Sequence, residues 1–164
     1  MRQGPLTEEI LFRSAGVPLM IMSHASVGVT VFLSPIVFGL AHIHHFYEFR
    51  ITHPHIHIAV AIVRSLFQLT YTTLFGAYAT FLFLRTGSLL AVFLVHGFCN
   101  CMGLPRVWGS LRPIWNGVEV EDKRYSRICT VLYYPLLVLG AYMWWKGLGP
   151  LTQSQNRLLL IDMS

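Results

Sequence analysis

Residues 26–46 read SVGVTVFLSPIVFGLAHIHHF and contain no Asp, Glu, Lys or Arg. A helix needs roughly 20 mainly apolar residues to cross about 30 Å of hydrocarbon. The run therefore predicts a membrane helix, in which Pro35 introduces a kink that membrane helices tolerate. Composition agrees, because 54% of the 164 residues are hydrophobic and only 12% are charged. Soluble domains carry about 25% charged residues, which argues against a water-soluble monomer.

Three further runs, at 65–84, 86–105 and 128–145, also lack charged side chains. With a shorter helix near the N-terminus, they predict an all-α fold, a polytopic membrane helical bundle of about five transmembrane or membrane-embedded helices. The predicted helices cover about residues 6–22, 26–46, 59–84, 88–104 and 128–148. We expect Pro18 to bend or end the first of them. The stretches 47–58 and 105–127 are predicted as polar loops. The core is then 1–148, with a tail, 149–164, outside it.

The charge distribution predicts the partner and the orientation. The net charge is +5, but the basic residues are scattered through loops rather than clustered on one face, so we expect a lipid bilayer and not a nucleic acid. Lys and Arg are more frequent at the N-terminus and in the loops 47–58 and 105–127 than in the other connections. The excess predicts that these segments face the cytosol.

Ionisable residues inside a membrane are costly to bury and are functional candidates. In the segment TEEILFR, Glu9 and Arg13 are one helical turn apart, with the acid first, which is the favourable order for an ion pair. Glu8 points about 100° away and has no such partner. One carboxylate is then held by an arginine and the other is free for proton chemistry. The alternative is a charged helix end at the membrane surface.

Two further pairs have the same spacing. Phe38 and His42 lie one turn apart in the second helix, and His96 and Asn100 in the fourth. An imidazole and a carboxamide on one face can both donate hydrogen bonds to an oxygen that gains negative charge. The alternatives are an interfacial histidine and a polar pair that joins helices. In the predicted topology Glu8, His42, His96 and Asn100 share one depth, which predicts one site open to the cytosol.

The three motifs Glu-Glu-x-x-x-Arg, Phe-x-x-x-His and His-x-x-x-Asn, in this order on successive helices, resemble those of the CPBP family of intramembrane proteases. Within it, the sequence is most similar to the type II CAAX prenyl endopeptidases, the Ras-converting enzymes. The similarity extends over residues 4–105. It includes the stretches GPLTEEILFR (4–13), FGLAHIHHFYE (38–48), FQLTYTTLFGAYATFLFLRTGSL (67–89) and HGFCNCMGLP (96–105).

The resemblance implies a role for each motif residue. Glu8 and His42 would position and deprotonate a water molecule that attacks a peptide carbonyl, and His96 and Asn100 would stabilise the oxyanion. Glu9 and Arg13, supported by Phe38, would orient the helix and the catalytic acid. No metal or other cofactor is implied. The reaction would be removal of the last three residues after the modified cysteine of a prenylated Cys-a-a-X sequence.

The resemblance also implies partners and a location. The substrates would be farnesylated or geranylgeranylated CAAX proteins such as Ras-like GTPases. The enzyme would be a multi-pass protein of the endoplasmic reticulum membrane, with its site facing the cytosol. Family members have further membrane helices before the Glu-Glu helix. We therefore expect 164 residues to hold the catalytic helices but not the whole enzyme.

Three other functions remain open from the sequence. Zinc is the alternative cofactor, because His53, His55 and His57 would share one face if their segment were extended, although no HExxH motif is present. A thiol protease using Cys99, close to His96, is disfavoured because a thiol among apolar residues stays protonated. The third is an inactive membrane scaffold in which the polar groups only join helices.

Overall fold

The computed structural model describes residues 4–115, 118–119 and 122–158, and its regular structure is almost entirely helical. Two short strands, β1 (Ile114–Trp115) and β2 (Val118–Glu119), form an antiparallel pair. The predicted all-α class is confirmed.

The first helix consists of three consecutive segments: α1 (Gly4–Glu9), a π-helical segment (Ile10–Gly16) and α2 (Val17–Met22). Pro18 lies in the first turn of α2 and does not end the helix. A proline has no N–H to donate to the helix. The wider π turns that precede Pro18 change the backbone hydrogen-bond pattern at that point, so the helix continues through it. The predicted N-terminal helix is therefore present and contains an irregular turn just after Glu9.

The second predicted helix is divided in two, α3 (Val27–Leu40) and α4 (His44–Thr52). Helix α3 contains Pro35 and is capped by Ser26, whose hydroxyl accepts a hydrogen bond from the N–H of Val29 (3.2 Å). The predicted loop 47–58 is shorter than expected, since α4 continues to Thr52 and α5 begins at Ile58, which leaves residues 53–57 outside helix. Glu48 and Arg50 end the apolar run, but Glu and Arg are both good helix formers, so the helix continues.

The remaining helices are α5 (Ile58–Thr86), α6 (Leu89–Met102) and α7 (Lys123–Leu151). Helix α5 is followed by Gly87, whose left-handed φ of 63° suits glycine. Helix α7 begins before the predicted residue 128, because the Asp122 side chain accepts a hydrogen bond from the N–H of Arg124 (2.8 Å) and caps it.

The chain divides into two compact units, Met1–Phe98 with Gln153–Ser164, and Cys99–Thr152. In the first unit α3 packs along α5, and two glycines allow the close approach. A Cβ on Gly39 would collide with the Thr73 side chain, and one on Gly76 would lie 3.0 Å from the Cβ of Pro35. Residues 153–158 of the predicted tail belong to this unit, where the N–H of Leu158 donates to the carbonyl of Leu84 (2.8 Å), whereas residues 149–151 are the end of α7.

Within residues 4–115, 118–119 and 122–158, three helical stretches are long and apolar enough to cross a membrane: Val27–Thr52, Ile58–Thr86 and Lys123–Leu151. Helix α6 is apolar but shorter. The chain is thus a multi-pass membrane protein, as predicted. Of the about five predicted membrane helices, three are of this kind in the described part of the chain, α6 is shorter, and the segmented first helix is not among the three.

Candidate active site

The predicted ion pair between Glu9 and Arg13 is present and completely buried, with 0% exposure of both residues. Arg13 Nη1 donates to Glu9 Oε1 (3.3 Å). Arg13 Nε lies 3.3 Å from Glu9 Oε2, close enough for an ion pair but without the alignment of a hydrogen bond. Removing either partner would leave an uncompensated charge in the interior.

Groups from α3 and α5 complete the surroundings of the buried guanidinium. Arg13 Nη2 donates to the backbone carbonyl of Gly76 (3.3 Å), and the guanidinium carbon lies 4.3 Å from the centre of the Phe38 ring. A desolvated cation over an aromatic face gains about 2 kcal/mol. Arg13 therefore joins the first helix to both α3 and α5.

His96 contacts both acids of the Glu-Glu pair. Its Nδ1 lies 2.6 Å from Glu9 Oε1, and its Nε2 lies 3.8 Å from Glu8 Oε2. Glu9 is paired with Arg13 and acts as an acceptor, so Nδ1 carries the proton of the short contact. The ring is only 5% exposed and packs against Phe75, with 4.8 Å between ring centres. Its orientation is thus fixed from two sides.

Glu8 is the more accessible acid of the pair, with about a third of its side chain accessible. Its distance of 3.8 Å from His96 is too long for a hydrogen bond. Glu8 lacks an arginine partner on its own helix, as the helical spacing predicted, and it approaches a histidine from α6 instead. A carboxylate in this position is accessible to a water molecule.

His42 also packs against Phe38. The two ring centres are 4.9 Å apart, and Phe38 is 6.2 Å from His96. His42 Nδ1 donates to the backbone carbonyl of Phe38 (2.8 Å), since a carbonyl oxygen can only accept. In the neutral ring this leaves the lone pair on Nε2. Within the described part of the chain, no hydrogen bond joins His42 directly to Glu8.

Asn100 is one turn beyond His96 on α6, as predicted, and it is exposed. It belongs to the second compact unit, whereas Glu8, Glu9, Arg13, His42 and His96 belong to the first. The structure brings the five residues of the first unit together around Phe38. The role of Asn100 stays a prediction.

Sequence reasoning missed Phe75 and Gly76 of α5, which contact His96 and Arg13. It also missed Phe12, whose ring centre is 5.1 Å from that of Phe38. A glycine in the middle of a long apolar helix signals close approach of another chain segment, and this signal could have identified Gly76. The aromatic residues gave no comparable signal, because they resemble lipid-facing side chains.

The segment His53 to His57 is not extended. It forms a turn in which His57 Nδ1 accepts from the N–H of Ala59 (3.2 Å) and Thr52 Oγ1 contacts His53 Nδ1 (2.8 Å). The condition for three imidazoles on one face is therefore not met. Among the described residues, no group of three or more His, Cys, Asp or Glu side chains is arranged to hold a metal ion.

Comparison with known proteins gives one family and several relatives. The family model described as type II CAAX prenyl endopeptidase Rce1-like matches residues 3–102. A protein of Schizosaccharomyces pombe named probable CAAX prenyl protease 2 is 43% identical over 145 residues, covering 87% of this chain and 48% of the relative. CAAX prenyl protease 2 of Arabidopsis thaliana is 44% identical over 107 residues, covering 65% of this chain and 34% of the relative.

The human protein named CAAX prenyl protease 2 is 42% identical over 108 residues, covering 66% of this chain and 32% of the relative. The chain thus spans between about a third and a half of the length of these three relatives. No solved structure gave a significant match.

Proposed function

Because the chain belongs to the Rce1-like family of type II CAAX prenyl endopeptidases, we propose that it carries the active site of an endopeptidase acting on prenylated proteins. The enzyme removes the last three residues of a Cys-a-a-X sequence after the modified cysteine. The observation that carries the proposal is His96 held between the buried, arginine-paired Glu9 and the accessible Glu8.

Water activation is assigned to Glu8 and His42. The carboxylate of Glu8 is accessible to water, and a carboxylate within hydrogen-bond reach of that water can take its proton as a general base. His42 donates from Nδ1 to a backbone carbonyl, so its Nε2 is available to accept a hydrogen bond from the same water. The water gives its proton to the carboxylate, and the hydroxide forms a bond to the carbonyl carbon of the prenylated cysteine.

Stabilisation of the resulting oxyanion is assigned to His96, with Asn100 as the second donor. His96 Nδ1 is occupied by Glu9, so the donor to the oxyanion is a proton on Nε2. Each ring nitrogen faces a carboxylate oxygen, Nδ1 that of Glu9 and Nε2 that of Glu8. When the intermediate collapses, the carbon–nitrogen bond breaks and the leaving amine takes the proton from Glu8.

Glu9 and Arg13 are positioning residues in this scheme. Arg13 fixes Glu9 through the ion pair and fixes itself on α5 through the Gly76 carbonyl. Glu9 then sets the orientation of His96. The arrangement needs no metal ion, since a carboxylate supplies the base and hydrogen-bond donors supply the electrostatic stabilisation.

The substrates proposed are farnesylated or geranylgeranylated CAAX proteins such as Ras-like GTPases, processed at the endoplasmic reticulum membrane from the cytosolic side. A site among membrane helices suits them, because the prenyl chain can stay in the bilayer while the peptide enters from water. Helices of spanning length in the same unit support this arrangement.

The test is cleavage of a farnesylated CAAX peptide by membranes that contain the chain. We expect Glu8→Gln and His96→Ala to lose at least about a hundredfold in rate, the range for a general base or an oxyanion donor. Glu48→Gln, an exposed acid on α4, is the matched control and should cleave normally. Equal cleavage by all variants, or none by the parent chain, would refute the proposal.

A further inference from the structure

We propose that Phe75 of α5 is a positioning residue for the reaction, which holds the His96 ring at the angle at which Nε2 faces the accessible carboxylate of Glu8. The centres of the Phe75 and His96 rings are 4.8 Å apart, and the two ring planes are inclined at 52°. The inference rests on the proposed function, in which His96 donates to the oxyanion, and it adds a residue of α5 to those that set the geometry of that step.

The hydrogen bond to Glu9 does not fix the His96 ring by itself. It holds one edge of the ring, with Nδ1 2.6 Å from Glu9 Oε1, while Nε2 lies 3.8 Å from Glu8 Oε2, beyond hydrogen-bond distance. The outer torsion of a histidine side chain has broad minima, so the ring can still tilt. An oxyanion donor must lie about 2.7–3.1 Å from the oxyanion. A small tilt therefore removes the stabilisation, and a second support is needed.

Phe75 and Phe38 together provide this support. The centre of the Phe38 ring lies 6.2 Å from that of His96 and 6.5 Å from that of Phe75. With the 4.8 Å contact, all three distances fall within about 4.5–7 Å, where aromatic rings attract each other in tilted or edge-to-face arrangements. The contact with Phe75 is the closest of the three. The imidazole is thus confined by rings from two helices, α3 and α5.

The backbone of α5 is itself held in place next to Phe75. The carbonyl of Gly76 accepts a hydrogen bond from Arg13 Nη2 (3.3 Å), and a Cβ on Gly76 would lie 3.0 Å from the Cβ of Pro35. The Phe75 side chain packs against the buried apolar cluster that includes Val92 of α6. Close-packed interiors transmit small displacements instead of absorbing them. Phe75 therefore offers the imidazole a rigid surface rather than one that moves with it.

Cleavage kinetics with a farnesylated CAAX peptide test the role. Phe75→Leu keeps an apolar side chain but removes the ring, and we expect kcat to fall about 10- to 100-fold while KM changes by no more than about twofold. Phe67→Leu is the matched control, since Phe67 lies on the same helix, is 61% exposed and has its ring centre 5.6 Å from that of Tyr71. It should cleave at the parental rate. Equal kcat values for the two variants, or a change confined to KM, would overturn the proposal.

Two further substitutions separate the ring from the volume that it fills. Phe75→Tyr keeps the ring and should retain most of the parental kcat. Phe75→Met fills a similar space with a flexible chain and should lose kcat as Phe75→Leu does. Denaturant unfolding in detergent gives the folded fraction to which each kcat is referred. Equal kcat values for the Tyr and Met variants, or failure of both ring-free variants to fold, would reduce Phe75 to a packing residue and overturn the proposal.

The position of the ring is also measured without cleavage. In isotope-labelled protein, the proton between His96 Nδ1 and Glu9 Oε1 gives a downfield resonance, assigned by its loss in His96→Ala. We expect this resonance to broaden or disappear in Phe75→Leu, because a tilting ring exposes the proton to exchange with water, and to remain in Phe67→Leu. An unchanged resonance in Phe75→Leu would contradict the positioning role.

The two measurements separate failure of this inference from failure of the proposed function. Cleavage by the parent chain with an unchanged kcat in Phe75→Leu would leave the protease function standing and reject the role of Phe75. Loss of the resonance in Phe75→Leu without cleavage by the parent chain would keep the support of His96 by Phe75 and reject the protease function.

Discussion

His96 Nδ1 lies 2.6 Å from Glu9 Oε1, although the two residues are 87 positions apart in the sequence. The contact joins the first helix to α6 inside one compact unit. Glu9 also forms an ion pair with Arg13. One buried carboxylate therefore holds both the Arg13 guanidinium and the His96 ring in place. It connects the Glu-Glu motif with the His-x-x-x-Asn motif, and several predictions depend on it.

We expect Glu9→Gln to destabilise the protein by about 3–5 kcal/mol, because the buried Arg13 would lose its counter-charge. The matched change, Glu48→Gln, removes an acid from an exposed pair with His45 and should cost about 0–1 kcal/mol. Denaturant unfolding of both variants in detergent measures the difference. Similar unfolding free energies would show that the buried charge contributes nothing.

Arg13→Lys should reduce both stability and peptide cleavage, because one ammonium group cannot reproduce contacts with Glu9, the Gly76 carbonyl and the Phe38 ring. Arg64→Lys is the control, since the Arg64 guanidinium carbon also lies 4.3 Å from an aromatic centre but is exposed. We expect a loss of about tenfold or more in kcat/KM for Arg13→Lys alone. Equal kcat/KM values for Arg13→Lys and Arg64→Lys would show that Arg13 is not a positioning residue.

His42→Gln should lower kcat by about 10²–10⁴-fold, the usual contribution of a general acid or base. His44 makes the same kind of local contact, with its Nδ1 2.8 Å from the Ala41 carbonyl, but it is exposed. His44→Gln should therefore cleave at nearly the parental rate. The assay is initial-rate cleavage of a farnesylated peptide, and an equal loss in both variants would indicate a general effect on α4.

Gly76→Ala should destabilise the packing of α3 on α5 by about 1–3 kcal/mol, the usual cost of overpacking. The added methyl would lie 3.0 Å from the Cβ of Pro35 and 3.2 Å from Phe38 Cδ1. Gly97→Ala on α6 meets nothing within 4 Å and should be neutral or stabilising. Thermal unfolding of the two variants in the same detergent checks the contrast.

Metal removal separates the glutamate mechanism from a zinc mechanism. We expect cleavage to continue after dialysis against a strong chelator, because Glu8 and the hydrogen-bond donors supply the chemistry without a metal. Inactivation by the chelator, with recovery on adding stoichiometric zinc, would support the zinc-dependent protease instead. Elemental analysis of the active protein provides the second measurement.

The sequence predicted the local features of the molecule well. The apolar runs identified the long helices, since the period and length of such runs are local properties. The spacing of Glu9 and Arg13 predicted their ion pair, which the structure confirms. The predicted end of the second helix at residue 46 and the predicted start of the last helix at residue 128 were wrong, because charged residues end an apolar run without ending a helix.

The tertiary structure alone decided which residues meet. No local pattern indicates that His96 contacts Glu9, or that Gly76 offers its carbonyl to Arg13. These contacts depend on how closely α3, α5 and α6 pack, and packing follows from side-chain shape across helices rather than from order along one helix. The sequence by itself determined a set of membrane helices and their polar residues. Only the packing of those helices determined that Glu9, buried with Arg13, orients His96 while Glu8 stays accessible.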